Sequence, residues 1–167
     1  MDKHDEDTSR LYFTVGQGIT LWSKMENVLV FMFAILMPVT LPKAGLVLYS
    51  INFNQWLHLI DELLADSDFV EARLGWNKLK SELKALSDTR NVLAHHQVDR
   101  DVDERPSLVP SAFDSRSKTL KKHPLSVEDI QEFSTKVNLM GLKLDAVSKL
   151  IENVVKTRAG KSALGAT

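Results

Sequence analysis

The amino-acid sequence predicts an all-α protein, an up-and-down bundle of four to five helices with a long irregular connection before the last. Three observations point there. Apolar residues recur at helical spacing in four long stretches. Proline or clustered polar residues punctuate those stretches at Pro38, at Asp66-Ser67-Asp68 and across residues 98–125. A chain of 167 residues is also the size of one ordinary domain, with no internal repeat.

The first helix is expected from about Ser9 to Met37, with Leu21, Trp22, Met25, Val28, Leu29 and Met32 at helical spacing. Gly16 and Gly18 mark a break or a close helix contact, and Pro38 ends the helix. The second opens near Pro42, a residue suited to a first helical turn, and runs to about Ala65 with Leu48, Ile51, Trp56, Leu59, Ile60, Leu63 and Leu64 as its stripe. Asp66 or Asp68 caps the third helix. That helix runs from about Phe69 to His96, with Lys78, Lys80, Glu82 and Lys84 mostly on a solvated side.

Residues 98–125 break the pattern. They hold three prolines, an acidic cluster (Asp99, Asp101, Asp103, Glu104) and a basic one (Arg116, Lys118, Lys121, Lys122). Connections this long in a compact domain are functional or mobile. Ser107 to Phe113 has the makings of a short strand. Ser126 opens the fourth helix with an acid three residues on, as in a capping box. Its stripe includes Ile130, Phe133, Val137, Met140, Leu144 and Ile151. The expected organisation is a disordered N-terminus over 1–8, one helical domain over 9–158, and a disordered tail over 159–167.

Charge and composition exclude several functions. With 21 basic and 22 acidic residues, the net charge is −1, which argues against broad electrostatic capture of nucleic acid. There is no cysteine, hence no disulfide scaffold, thiol nucleophile or thiolate metal site. The polar, acidic start is unlike a secretory signal, and a cytoplasmic protein is expected. The most apolar run, Val28 to Met37, is ten residues where a membrane span needs about 20, so no membrane span is expected. Because that run is apolar on every side, a partner subunit is expected to cover part of it, as in a homodimer.

Gly16-Gln17-Gly18 lacks the third glycine and the lysine of a phosphate loop. No Glu-x-x-His or His-Glu-x-x-His is present, so no metal and no cofactor is expected. His58 reads as a partly buried structural histidine. Trp22 and Glu26, one turn apart, read as an interior aromatic beside a structural carboxylate.

The segment with readable chemistry is Arg90-Asn91-Val92-Leu93-Ala94-His95, with His96 next to it. At about 100° per residue, Asn91 and His95 lie roughly 40° apart on the helix, and Arg90 about 140° from His95. Arginine offers a planar, permanently charged fork that matches phosphate oxygens and stabilises charge developing at phosphorus. Histidine moves protons near neutral pH. Asparagine orients either one. Basic groups that favour a helix C-terminus account for the same residues without catalysis.

This segment resembles the Arg-x4-His signature of the HEPN superfamily (higher eukaryotes and prokaryotes nucleotide-binding domains). Asn91 after the arginine and Ala94 before the histidine also fit, as do the motif's place at the end of a long helix and the variable connection after it. Trp22 and Glu26 resemble residues of some bacterial branches. The resemblance implies a HEPN-like helical bundle that dimerises, often with two motifs facing each other. It implies metal-independent endoribonuclease activity leaving a 2′,3′-cyclic phosphate. Arg90 would bind and polarise the scissile phosphate, His95 would be the general acid or base, and Asn91 would position one of them. Glu26, Asp61 and His96 are candidate supporting residues. A toxin or defence component fits, with an RNA substrate and an antitoxin or other protein partner. Toxins of this superfamily paired with nucleotidyltransferase antitoxins often carry a tyrosine two residues after the histidine. Gln97 stands there instead, which puts modification by such an antitoxin in doubt. The alternative is a non-catalytic helical dimer that binds RNA or a nucleotide, or serves as a protein-interaction module. Arg90 and His95 buried and satisfied by Glu26 or Asp61 would favour that alternative.

Overall fold

The computed structural model describes residues 3–100, 103, 105–109 and 124–164. Helix accounts for 83% of these. The order is α1 (Lys3–Leu36), α2 (Leu41–Tyr49), α3 (Phe53–Leu63), a 3-10 turn (Ser67–Phe69), α4 (Val70–His95), β1 (Gln97–Arg100), β2 (Pro106–Val109) and α5 (Val127–Leu164). The all-α class stands, with a small antiparallel hairpin added to it.

Helix ends obey local chemistry. Asp66 accepts a hydrogen bond from the Asp68 backbone N–H at 3.1 Å, supplying the cap expected there. Ser126 and Asp129 form a reciprocal capping box: the Asp129 N–H donates to Ser126 Oγ at 3.1 Å and the Ser126 N–H to Asp129 Oδ2 at 2.8 Å. The single helix expected from Pro42 to Ala65 is instead two. A second capping box begins α3, with the Gln55 N–H donating to Asn52 Oδ1 and the Asn52 N–H to Gln55 Oε1. The Trp56 indole N–H then donates to the carbonyls of Leu48 and Ile51, closing the corner.

Residues 3–8 and 159–164 are helical where disorder is expected from the sequence. α1 starts at Lys3, with Asp5 and Glu6 in its first turn, where carboxylates complement the helix dipole. α5 continues to Leu164 with Lys161 in its last turn, and Lys149–Asp145 and Lys156–Glu152 pair along it at i,i+4. The described part of the connection holds a hairpin. β1 pairs with β2 in the register Gln97↔Val109 to Arg100↔Pro106, and Leu108 exchanges both backbone hydrogen bonds with Leu125 at 3.0 Å. The strand expected at Ser107–Phe113 is thus observed as far as Val109. Its remainder, Asp101, Glu104, His123 and the basic cluster Arg116–Lys122 lie outside the described residues.

The chain divides into two compact units. The first comprises Met1–Ser23 and Ala85–Asn138, the second Lys24–Lys84 and Leu139–Thr167. In the first, Leu11, Trp22, Leu86, Val92, Leu93, Leu108, Ile130, Phe133 and Val137 are buried. Trp22 stacks on Phe133, with ring centroids 6.4 Å apart. Gly18 is the close contact: a Cβ there would sit 3.2 Å from Leu93 and 3.5 Å from Phe133. Gly16 faces open space, and neither glycine breaks α1.

In the second unit, Leu29, Met32, Leu48, Ile60, Leu64, Trp76, Leu83, Leu144 and Ile151 are fully buried. A Cβ on Gly75 would lie 3.0 Å from Val147, so glycine lets α4 and α5 approach closely here. Of the run Val28–Met37, Leu29, Val30, Met32, Phe33 and Ala34 are already buried within the chain. By length and composition, Asp5–Leu36 is the one helix among the described residues apolar enough to cross a membrane, and 39% of its most apolar window is buried. A core helix of a folded protein meets the same measure.

Candidate functional site

The motif occupies the last turn and a half of α4, in the first unit. Val92 and Leu93 are buried and anchor that end of the helix in the core. Their neighbours along the chain therefore project toward solvent. Asn91 and His95 are both exposed, Arg90 and His96 half-buried. The shared face of Asn91 and His95 results from their spacing of four.

The Arg90 guanidinium donates from Nη1 to Asn91 Oδ1 at 3.3 Å. Its Nε is buried and makes no hydrogen bond among the described residues. An orphaned buried N–H is costly, on the order of 1–3 kcal/mol, and costs less once an anion or water supplies an acceptor. The His95 side chain makes no hydrogen bond or ion pair with another described residue. The His96 backbone N–H donates to the Val92 carbonyl at 2.9 Å, extending the helical pattern one residue past α4. Arginine and asparagine are thus joined directly, while the histidine stands exposed one turn on.

The candidate supporting acids are placed differently. Asp61, in the second unit, accepts hydrogen bonds from the Trp76 indole N–H at 3.1 Å and Lys80 Nζ at 2.7 Å. Its two oxygens tie α3 to α4, a structural duty. Glu26 is half-buried in the same unit. Its charge adds to partial burial in raising the Tyr49 hydroxyl above its ordinary pKa, with burial the larger cause. His58 is exposed, 3.9 Å from Glu62 on the next turn, where partial burial is expected from the sequence. Among the described residues, no group of three or more His, Cys, Asp or Glu is arranged to hold a metal ion.

The first unit also holds a cavity of about 450 Å³ lined by Arg10, Arg105, Asp7, Glu128 and Ser126. Sequence reasoning does not single out this group, because its members come from three separated stretches. A second cavity, of about 320 Å³, lies beside Asp68, Asn153, Thr157 and Arg158 in the second unit. There Arg158 bridges Asp66 at 2.8 Å and Asp68 at 2.6 Å and lies over the Phe69 ring, 4.9 Å from its centroid. The Arg158 hydrogen bond is the main cause holding the Asp66 carboxyl below its ordinary pKa.

No protein-family model matches the chain, and no curated protein or solved structure matches it.

Proposed function

We propose that this chain is a metal-independent RNA endonuclease of the HEPN type, working through Arg90, Asn91 and His95. One observation carries the reading: Arg90 and His95 stand together in the last turn and a half of α4, and neither is paired with an acidic side chain among the described residues. Structural arginines and histidines are commonly spent on carboxylates; these two are left for a ligand.

The chemistry needs no metal. The ribose 2′-oxygen loses its proton and attacks phosphorus, the phosphorus–O5′ bond breaks, and O5′ takes up a proton. The products are a 2′,3′-cyclic phosphate and a 5′-hydroxyl. Arg90 neutralises charge on the non-bridging oxygens as it builds in the transition state. Asn91 holds the guanidinium through its Oδ1. His95 transfers a proton at the 2′- or 5′-oxygen. In a homodimer, a second copy of the motif brings the other proton-transfer group. A toxin or defence component controlled by a protein partner fits this activity.

The test is cleavage of an RNA panel by the purified protein in EDTA, beside His95→Ala and Arg90→Ala. Each variant is expected to lose about 10²–10⁴-fold in rate while keeping the wild-type circular dichroism. Wild-type cleavage in folded His95→Ala would refute the assignment. A panel left intact by wild type, yet bound through Arg90, would favour a non-catalytic RNA- or nucleotide-binding module.

A further inference from the structure

Separate stretches of the chain bring two guanidiniums to the cavity of about 450 Å³ in the first unit: Arg10 from α1, and Arg105 immediately before β2. Asp7 and Glu128 line it as well. Asp7 and Arg10 are three residues apart on α1, close enough to pair. Yet Asp7, Arg10 and Glu128 form no ion pair among the described residues. Charges of both signs therefore border a space of ligand size without cancelling one another. Val127 completes the wall from the first turn of α5, where backbone N–H groups lack intrahelical partners and favour an anion. Phe13, about 60° from Arg10 around α1 by helical geometry, is 67% exposed.

We propose that this cavity holds one nucleotide of an RNA strand, outside the scissile position. The choice of RNA rests on the cleavage proposed at Arg90 and His95. The arginines take the phosphate, whose oxygens match the planar guanidinium fork. The carboxylates accept hydrogen bonds from base amino groups, and Phe13 offers a face on which a base stacks. A simple anion is the poorer fit, because two carboxylates oppose it. A nucleotide presents both the charge for the arginines and the N–H donors for the acids. The connection to the motif is β1. α4 ends at His95, β1 starts at Gln97, and its far end, Arg100, pairs with Pro106 at the cavity wall. Those three strand steps span about 10 Å. That is too far for the scissile phosphate, so the cavity engages a neighbouring nucleotide.

Fluorescence anisotropy of short labelled 2′-O-methyl oligonucleotides on the full chain tests the site apart from cleavage. These probes keep the phosphate and base but cannot form the cyclic phosphate. Arg10→Gln is expected to weaken binding about tenfold and to reduce the salt slope by about one. Arg73→Gln, at an exposed arginine of the second unit, is expected to change neither. Oligocytidylate is expected to bind more tightly than oligouridylate, whose base lacks an amino group, with Glu128→Ala narrowing the gap. Undiminished binding by folded Arg10→Gln, or an equal loss in Arg73→Gln, would overturn the proposal, and so would equal binding of the two oligonucleotides by wild type. Arg10-dependent binding beside a wild type that cleaves no RNA would support the cavity and count against the nuclease. Cleavage that persists while Arg10 is dispensable for binding would do the reverse.

Discussion

In the second unit, several charged side chains are matched across elements, although Ser148 Oγ is buried without a partner among the described residues. Asp61 receives both Trp76 and Lys80, Glu82 receives Lys143 at 3.2 Å, and Arg158 clamps Asp66 and Asp68. At the end of α4 in the first unit the pattern is different. Among the described residues, the Arg90 side chain hydrogen-bonds only its neighbour Asn91 and keeps a buried, unsatisfied Nε, while the exposed His95 side chain has no described partner. Polar groups that close a fold commonly find each other, and groups left open are candidates for a ligand. The contrast separates Asp61, whose two oxygens are taken up by the fold, from His95, to which the proposed function assigns the chemistry, although both are conspicuous in the sequence.

Three substitutions sharpen the contrast, from the largest expected effect to the smallest. Asp61→Ala strands the Trp76 indole N–H in the core and should destabilise the protein by about 1–3 kcal/mol, read by chemical denaturation. Gly16→Ala should stabilise by about 0.5–1 kcal/mol, because Gly16 is helical with open space where a Cβ would go. A loss of stability there would show that α1 is not a continuous helix. Arg158→Met should lower the melting temperature at neutral pH. Asp66 has a depressed pKa in the folded state, so its contribution is present above the ordinary aspartate range and fades as pH falls through the folded value. The gap in melting temperature between wild type and Arg158→Met should therefore narrow in acid. A constant gap would mean that the arginine acts through its stacking on Phe69 instead.

Much of the fold is legible in the sequence because helix signals are local. The caps at Asp66 and Ser126 and the end of α4 depend on residues within one turn of each other. The break between α2 and α3 is hidden because the apolar stripe of Leu48, Ile51 and Trp56 runs across it, outweighing the four-residue box that begins at Asn52. Helix at the N-terminus escapes notice because acidic residues that favour a first turn also resemble a disordered segment. The hairpin is too short to alternate convincingly: Ser107 and Leu108 are adjacent and both buried. At the site, the shared face of Asn91 and His95 comes from helical spacing alone. The duties of Asp61 and Glu26 do not, since a carboxylate's partner is set by which helix packs against it.

The central claim is that His95 serves chemistry and Asp61 serves the fold. The most direct test measures RNA cleavage in EDTA and the melting temperature on the same preparations of wild type, His95→Ala and Asp61→Ala. The account predicts a crossed result: His95→Ala loses cleavage and keeps its melting temperature, while Asp61→Ala melts lower and, below its transition, still cleaves. A His95→Ala protein that melts well below wild type, or cleaves as fast, would contradict it.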